Sequence, residues 1–168
     1  MILPVYVEPQ EILRTSAEII PEVTPELREL AFSMRETMHN AHGIGLAAPQ
    51  VGRSINMFIA EYVDDEEPAD GIPFTAMINP QILWRSTLKS VIEEGCLSIP
   101  GVYGNVKRPR KVTVKFTDLE GKQKEITADH LFARVIQHEI DHLKGVLFTD
   151  YVNPDKRVFR EPPPYPQA

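Results

Sequence analysis

Asp129-His130-Leu131-Phe132-Ala133-Arg134-Val135-Ile136-Gln137-His138-Glu139-Ile140-Asp141-His142-Leu143-Lys144-Gly145 is the stretch on which the reading of this chain turns. Asp129 suits a helix N-cap and Gly145 a stop beyond the last turn, so a helix is predicted from about Asp129 to Leu143. At ~100° per residue, Phe132, Ile136, Ile140 and Leu143 fall on one arc, the core face. His138 and His142 share a neighbouring arc with Leu131 and Val135, so both imidazoles can reach one metal ion. Glu139 lies between the two arcs and is expected to be shielded from bulk water. A shielded carboxylate beside a cation suits a general base, acting on water whose pKa a metal lowers to about 7. Asp141 projects opposite the core and reads as a solvated residue, with a role supporting the metal ligands as the alternative, and Arg134 as a group at a pocket rim or in solvent. The competing reading is a surface helix with two incidental histidines. The placement of Glu139 favours the metal.

Outward from this helix, the chain reads as α+β, with mostly antiparallel strands packed around the C-terminal HExxH helix and one N-terminal helix. The N-terminal helix follows Thr24 as N-cap and Pro25 at the first helical position. Leu27, Leu30, Ala31, Met34 and Met38 form its apolar stripe, which ends around Asn40 to Gly43. Residues 55–63 read as a mostly buried strand, followed by an acidic loop over 64–71 that lacks calcium-loop spacing. Further strands are predicted at 74–84, 87–93, 111–117 and 123–127, the last two joined as a hairpin through Asp118-Leu119-Glu120-Gly121. Residues 1–152 then form a single catalytic domain, and 153–168 a short Pro-rich C-terminal tail.

Composition narrows the function classes. At 168 residues the chain can bury a core without staples, and 42% hydrophobic with 25% charged residues is ordinary globular balance. A formal net charge of -6 argues against a nucleic-acid binder, which needs a basic stripe. A single cysteine excludes an intramolecular disulfide, and no apolar run nears the ~18 residues of a membrane span. The N-terminus lacks the pattern of a signal peptide, so a soluble protein of a reducing compartment is expected.

The HExxH pair supplies two ligands, and a catalytic zinc-like centre needs a third. Only 26 residues follow His142, none of them His, and Glu161 lies in the Pro-rich tail, so a zincin-type peptidase is disfavoured. The sole cysteine sits upstream in Glu94-Gly95-Cys96-Leu97-Ser98-Ile99-Pro100, and its thiolate suits a borderline-soft metal. His39, His42 and His130 keep open a closed, structural four-ligand site, with His42 the foremost of them. A third segment, Gly43-Ile44-Gly45-Leu46-Ala47-Ala48-Pro49-Gln50-Val51-Gly52, reads as a loop with close backbone approach to a ligand. It is no phosphate loop, and Gln50 offers an uncharged amide donor for an oxyanion.

Together, Gly43-Ile44-Gly45-Leu46-Ala47-Ala48-Pro49-Gln50, Glu94-Gly95-Cys96-Leu97-Ser98 and Gln137-His138-Glu139-Ile140-Asp141-His142 resemble segments of the peptide deformylases. They stand in that family's order and approximate spacing, and the resemblance covers about residues 4 to 152. It implies hydrolysis of the N-formyl group from the formyl-methionine of nascent polypeptides, releasing formate. It implies Cys96, His138 and His142 as ligands of one divalent metal per chain and Glu139 as the acid/base. Ligand types alone point to zinc; the resemblance implies Fe(II) in the cell, with Zn, Ni or Co able to occupy the site. It further implies that the Leu97 N–H and the Gln50 side chain bind the oxyanion, and that Gly45 hydrogen-bonds the peptide. Ile44, Leu131 and Val135 would line the methionine pocket, and Glu94 would pair with Arg108. Tyr103 stands where many bacterial members carry an Arg that helps bind the peptide backbone, and the long C-terminal helix of some members is missing. A cytoplasmic monomer is expected, in transient proximity to the ribosome, with no direct nucleic-acid or membrane partner.

Overall fold

The C-terminal helix, α2 (His130–Leu143), starts from Asp129, whose Oδ1 accepts the His130 N–H at 2.7 Å. The computed structural model describes residues 1–168 and is α+β as expected, with two α-helices and two antiparallel sheets. The first sheet runs β1-β2-β3-β6-β7, from β1 (Gly45–Ala47), β2 (Met57–Tyr62), β3 (Ile72–Arg85), β6 (Lys111–Thr117) and β7 (Gln123–Asp129). The second runs β4-β5-β8, from β4 (Lys89–Cys96), β5 (Ile99–Pro109) and β8 (Val158–Phe159). The N-terminal helix α1 (Pro25–Asn40) has Thr24 as its N-cap, its Oγ1 accepting from Leu27 N–H.

The five-stranded sheet lies between the two helices. On one face Phe58, Ala60, Met77, Val112 and Val114 pack against Ala133, Ile136, Ile140 and Leu143 of α2. On the other, Met57, Ile59, Ala76 and Ile78 pack against Leu27, Ala31, Met34 and Met38 of α1. Successive side chains of a strand point to opposite faces, so β2 is apolar on both faces over residues 57–60, with Glu61 beyond them pairing with Arg35. That accounts for residues 55–63 reading as a mostly buried strand.

Three strands lie where the sequence reading had none. β5 carries Pro100, Gly101, Gly104 and Pro109, which read as breakers, yet Gly104, Val106 and Arg108 alternate inward against β4. The prolines sit near its two ends, where missing donors cost least. β1 lies inside the glycine-rich segment read as a loop, paired to β2 with Gly45 opposite Ala60. It is an edge strand, followed by a 3-10 turn over Ala48–Val51. The segment after residue 152 returns to the body as β8, with Tyr103 opposite Val158.

Helix α2 is held by apolar burial rather than by its caps. Ile136 is fully buried at the centre of this interface. Ile136→Ala is expected to cost about 2–5 kcal/mol, the range for deleting a buried aliphatic side chain, read as a lowered midpoint in urea unfolding.

Candidate active site

β4 delivers Cys96 at its end, and α2 presents His138 and His142 from adjacent turns. Ligand-capable atoms of these three residues all lie within 4.8 Å of one another, and Cys96 Sγ is 3.2 Å from His142 Nε2. Tetrahedral bonds of ~2.0–2.3 Å to sulfur and nitrogen place such donors ~3.5 Å apart, so the set is close to what a metal ion requires. The electrostatics agree. Burial works against a charged His138, yet the neighbouring Cys96 and Glu94 raise it well above the usual imidazole range. A positive charge is favoured at that point, and a cation supplies one. Burial, reinforced by the charges of His138 and Arg108, keeps His142 far below the usual range, so the ring is neutral with one nitrogen lone pair free. None of His39, His42 and His130 joins the cluster: His39 pairs with Glu61, and His130 contacts Arg110 and Asp129.

One carboxylate organises this site. Glu94 Oε1 accepts from His138 Nδ1 at 2.8 Å and from Arg108 Nη2 at 3.0 Å. Its Oε2 accepts from Arg108 Nε and Arg134 Nη1, both at 2.7 Å. Donation from Nδ1 leaves the Nε2 lone pair of His138 as the free donor. Burial pushes the Glu94 carboxyl up, but the hydrogen bonds and charges of His138 and Arg108 outweigh it and hold the group far below the carboxylate range.

Two expectations for polar residues of α2 are corrected here. Arg134 lines the cleft, one of the two placements expected of it, but it is not solvated: it is buried, and also donates to Val106 O at 2.8 Å and Ser90 O at 2.9 Å. Asp141 is not a solvated group; its Oδ2 accepts from Arg108 Nη1 at 2.8 Å and from Tyr151 Oη at 3.0 Å. Arg134 stands one helical turn before His138, so their shared face was a readable signal for its role. The partner of Asp141 comes from β5, which the periodicity did not reveal.

Glu139 is 3% exposed, and its Oε2 has no hydrogen-bond partner. Burial pushes its carboxyl up to about 7, against the pull of His138, a value suited to taking and returning a proton near neutrality. Gly45 makes room for it: a Cβ there would stand 2.7 Å from Glu139 Oε1 and 2.9 Å from a Val135 methyl. Gln50 is fully enclosed, with Oε1 accepting from Ala47 N–H at 2.9 Å. Its Nε2 is 3.1 Å from Ser98 Oγ and 3.5 Å from Cys96 Sγ. Ser98, which donates to Tyr6 O at 2.7 Å, thus orients the amide, a role the sequence reading missed.

One cavity of about 460 Å3 gathers Ile44, Gly45, Gln50, Cys96, Leu97, Tyr103, Leu131, Val135, His138 and Glu139. His142 lies buried behind it, against Cys96. Pro162, Pro163 and Tyr165 of the Pro-rich C-terminal segment also line the cavity, residues to which the sequence analysis assigned no role.

The sequence model of the polypeptide deformylase family matches residues 2–158. The chain belongs to the peptide deformylase family. A peptide deformylase of Salinibacter ruber is 46% identical over 169 residues, covering 96% of this chain and 87% of the relative. The peptide deformylase structure from Ehrlichia chaffeensis superposes with a TM-score of 0.87 at 34% identity, covering 93% of this chain and 90% of that one. A class I type b peptide deformylase from Acinetobacter baumannii, with Met-Ala-Ser bound, gives a TM-score of 0.85 at 35% identity over 90% and 99% of the two chains. As a deformylase, the chain is a metal-dependent hydrolase that removes the N-formyl group from the formyl-methionine of nascent polypeptides.

The Glu94 cluster carries a pH signature in this deformylase. Its folded-state pKa lies below the ordinary value of 4.5, so the unfolded chain binds the extra proton first. Its contribution is fully present above that value and drains away as pH falls through it toward the folded pKa. Urea unfolding is expected to show stability falling as pH drops below about 5, with a shallower fall in Glu94→Gln. At neutral pH that variant is expected to lose about 3–5 kcal/mol, because two buried guanidinium groups lose their shared carboxylate.

Proposed function

We propose that Cys96, His138 and His142 hold one divalent metal ion and that Glu139 moves the proton during deformylation. The observation that carries this reading is the convergence of those three donors beside a buried carboxylate with an unpartnered oxygen. A bound divalent ion would acidify water and polarise the formyl carbonyl. Fe(II) is the proposed ion in the cell, with Zn, Ni or Co able to replace it; a thiolate with two imidazoles accepts any of these borderline metals.

Glu139 takes a proton from the attacking water as its oxygen adds to the formyl carbon. Gln50 Nε2 and the Leu97 N–H donate to the developing oxyanion, each contributing about 2.7–4 kcal/mol when well placed. Glu139 then passes the proton to the departing nitrogen, the C–N bond breaks, and formate leaves a free amino terminus. Ile44, Leu131 and Val135 surround the methionine side chain. Gly45, on edge strand β1, bonds the peptide backbone as an added strand would. Tyr103 borders the peptide where it leaves the cleft. The substrate is a nascent chain in the cytoplasm, met near the ribosome by a monomeric enzyme that contacts neither nucleic acid nor membrane. No helix here is long and apolar enough to cross a bilayer.

Protein purified without oxygen is expected to carry one equivalent of metal and to release formate from formyl-Met-Ala but not cleave acetyl-Met-Ala. Chelation should abolish turnover. Glu139→Gln should retain the metal while kcat falls about 10^2–10^4-fold, the usual worth of a positioned acid/base. Unchanged turnover in that variant would remove Glu139 from the mechanism. Cys96→Ala should lose the metal itself, measured by elemental analysis.

A further inference from the structure

The C-terminal segment is clamped across the cleft at both ends. At its start, β8 pairs with β5, and Arg160 N–H donates to Gly101 O at 2.8 Å. Gly101 has φ of +78°, and a Cβ there would stand 2.5 Å from Arg160 O, so the seat requires glycine. At its far end, Val5 N–H donates to Pro166 O and Ala168 N–H to Val5 O, both at 2.9 Å. Between these anchors, Pro162, Pro163 and Tyr165 line the cavity that holds Cys96, His138 and Glu139. Tyr165 Oη donates to Leu97 O at 2.5 Å, beside the cysteine. The prolines fix much of this segment's backbone in advance, so little ordering entropy opposes its position.

We propose that residues 158–166 form the outer wall of the substrate cleft and that the Tyr165 ring selects the side chains following the formyl-methionine. This rests on the deformylation reading above and adds a specificity determinant to it. The chemistry of the wall defines what it takes. Tyr165, Tyr103, Pro162 and Pro163 present rings and apolar edges. The nearby cation, Arg160, is already committed: its Nη1 and Nη2 lie 2.6 Å and 3.1 Å from the Glu93 oxygens, and its guanidinium lies 4.7 Å from the Tyr103 ring centroid. Within this wall, the one cation and its carboxylate partner satisfy each other and leave neither sign of charge to reward a charged side chain. An apolar or aromatic residue gains contact with the rings, whereas a lysine or glutamate loses hydration without gaining a partner. The wall therefore favours aromatic residues in the first two positions after methionine.

The test is kcat/KM for the metal-loaded enzyme on formyl-Met-Xaa-Ser and formyl-Met-Ala-Xaa, with Xaa as Phe, Ala, Lys or Glu. Wild type is expected to prefer Phe over Lys and Glu by about tenfold at one or both positions, the scale of one aromatic contact. Tyr165→Ala should bring that ratio near unity through KM, with kcat on the Ala peptides far less affected. Tyr165→Phe keeps the ring and should retain the ratio. A wild-type enzyme without preference, or a Tyr165→Ala variant that slows all substrates equally, would overturn the proposal while leaving deformylation intact. Absence of formate from every peptide would instead overturn the reading on which the proposal rests. Where Tyr165→Ala fails to fold, Tyr165→Leu, which removes the ring but keeps an apolar side chain, takes its place in the comparison.

Discussion

The hydrogen bonds converging on the Glu94 carboxylate are the constraint on which the rest of the site depends. Four donors from three side chains, Arg108, Arg134 and His138, occupy its two oxygens. Each bond fixes something different. The one from His138 sets the ring orientation and tautomer, so that Nε2 faces Cys96 and His142. Those from Arg108 and Arg134 tie β5 and α2 to β4, the strand that also delivers Cys96. Two carboxylates, Glu94 and Asp141, balance two guanidinium groups, so the cluster carries no uncompensated buried charge. A balanced buried network of this kind is weak as a source of stability and strong as a source of position.

Position matters because the site spans two sheets. The histidines and Glu139 ride on α2, which packs against the five-stranded sheet; Cys96 belongs to the three-stranded one. Two sheets joined only by apolar contact could slide by fractions of an ångström without much cost. Directional bonds do not allow that, since hydrogen bonds weaken steeply off their preferred geometry. The same reasoning covers the other wall of the cavity. Gly45 lets edge strand β1 approach Glu139 more closely than any other residue permits, and Ser98 with Ala47 N–H holds the Gln50 amide from both ends.

The sequence was legible wherever the information is local. Helix α2, its cap, its core face and the shielding of Glu139 follow from 3.6-residue periodicity, and the structure reproduces them. The clustering of Cys96 with His138 and His142 could be anticipated from residue chemistry, since a thiolate suits the third position beside two imidazoles. What periodicity cannot supply is the distant partner. Asp141 projects away from the core on a helical wheel, yet Arg108 from β5 meets it there. β5 itself was hidden because its glycines and prolines read as breakers, although each has a place: Gly101 seats the tail, and Pro109 ends the strand. Residues 158–166 carry almost no local pattern, and their position is set by distant partners: backbone in β5 and near Val5, Glu93 for Arg160 and Leu97 O for Tyr165.

The proposed metal donors and Glu139 lie on one helix and at one strand end, segments that only folding brings together. Arg134 and Asp141 share that helix, and Glu94 and Ser98 flank Cys96, so the hydrogen bonds that hold the site run between these same two segments and β5, which brings Arg108. A helix cannot brace its own side chains against rotation without partners on another element. A brace works when it is anchored to a separately packed body. The three-stranded sheet is that body, with its own apolar cluster of Ile99, Val106, Leu147, Phe148 and Val152. Precision at the proposed metal donors is therefore a property of the interface between the two sheets, and the Glu94 carboxylate is where that interface meets the Cys96, His138 and His142 cluster.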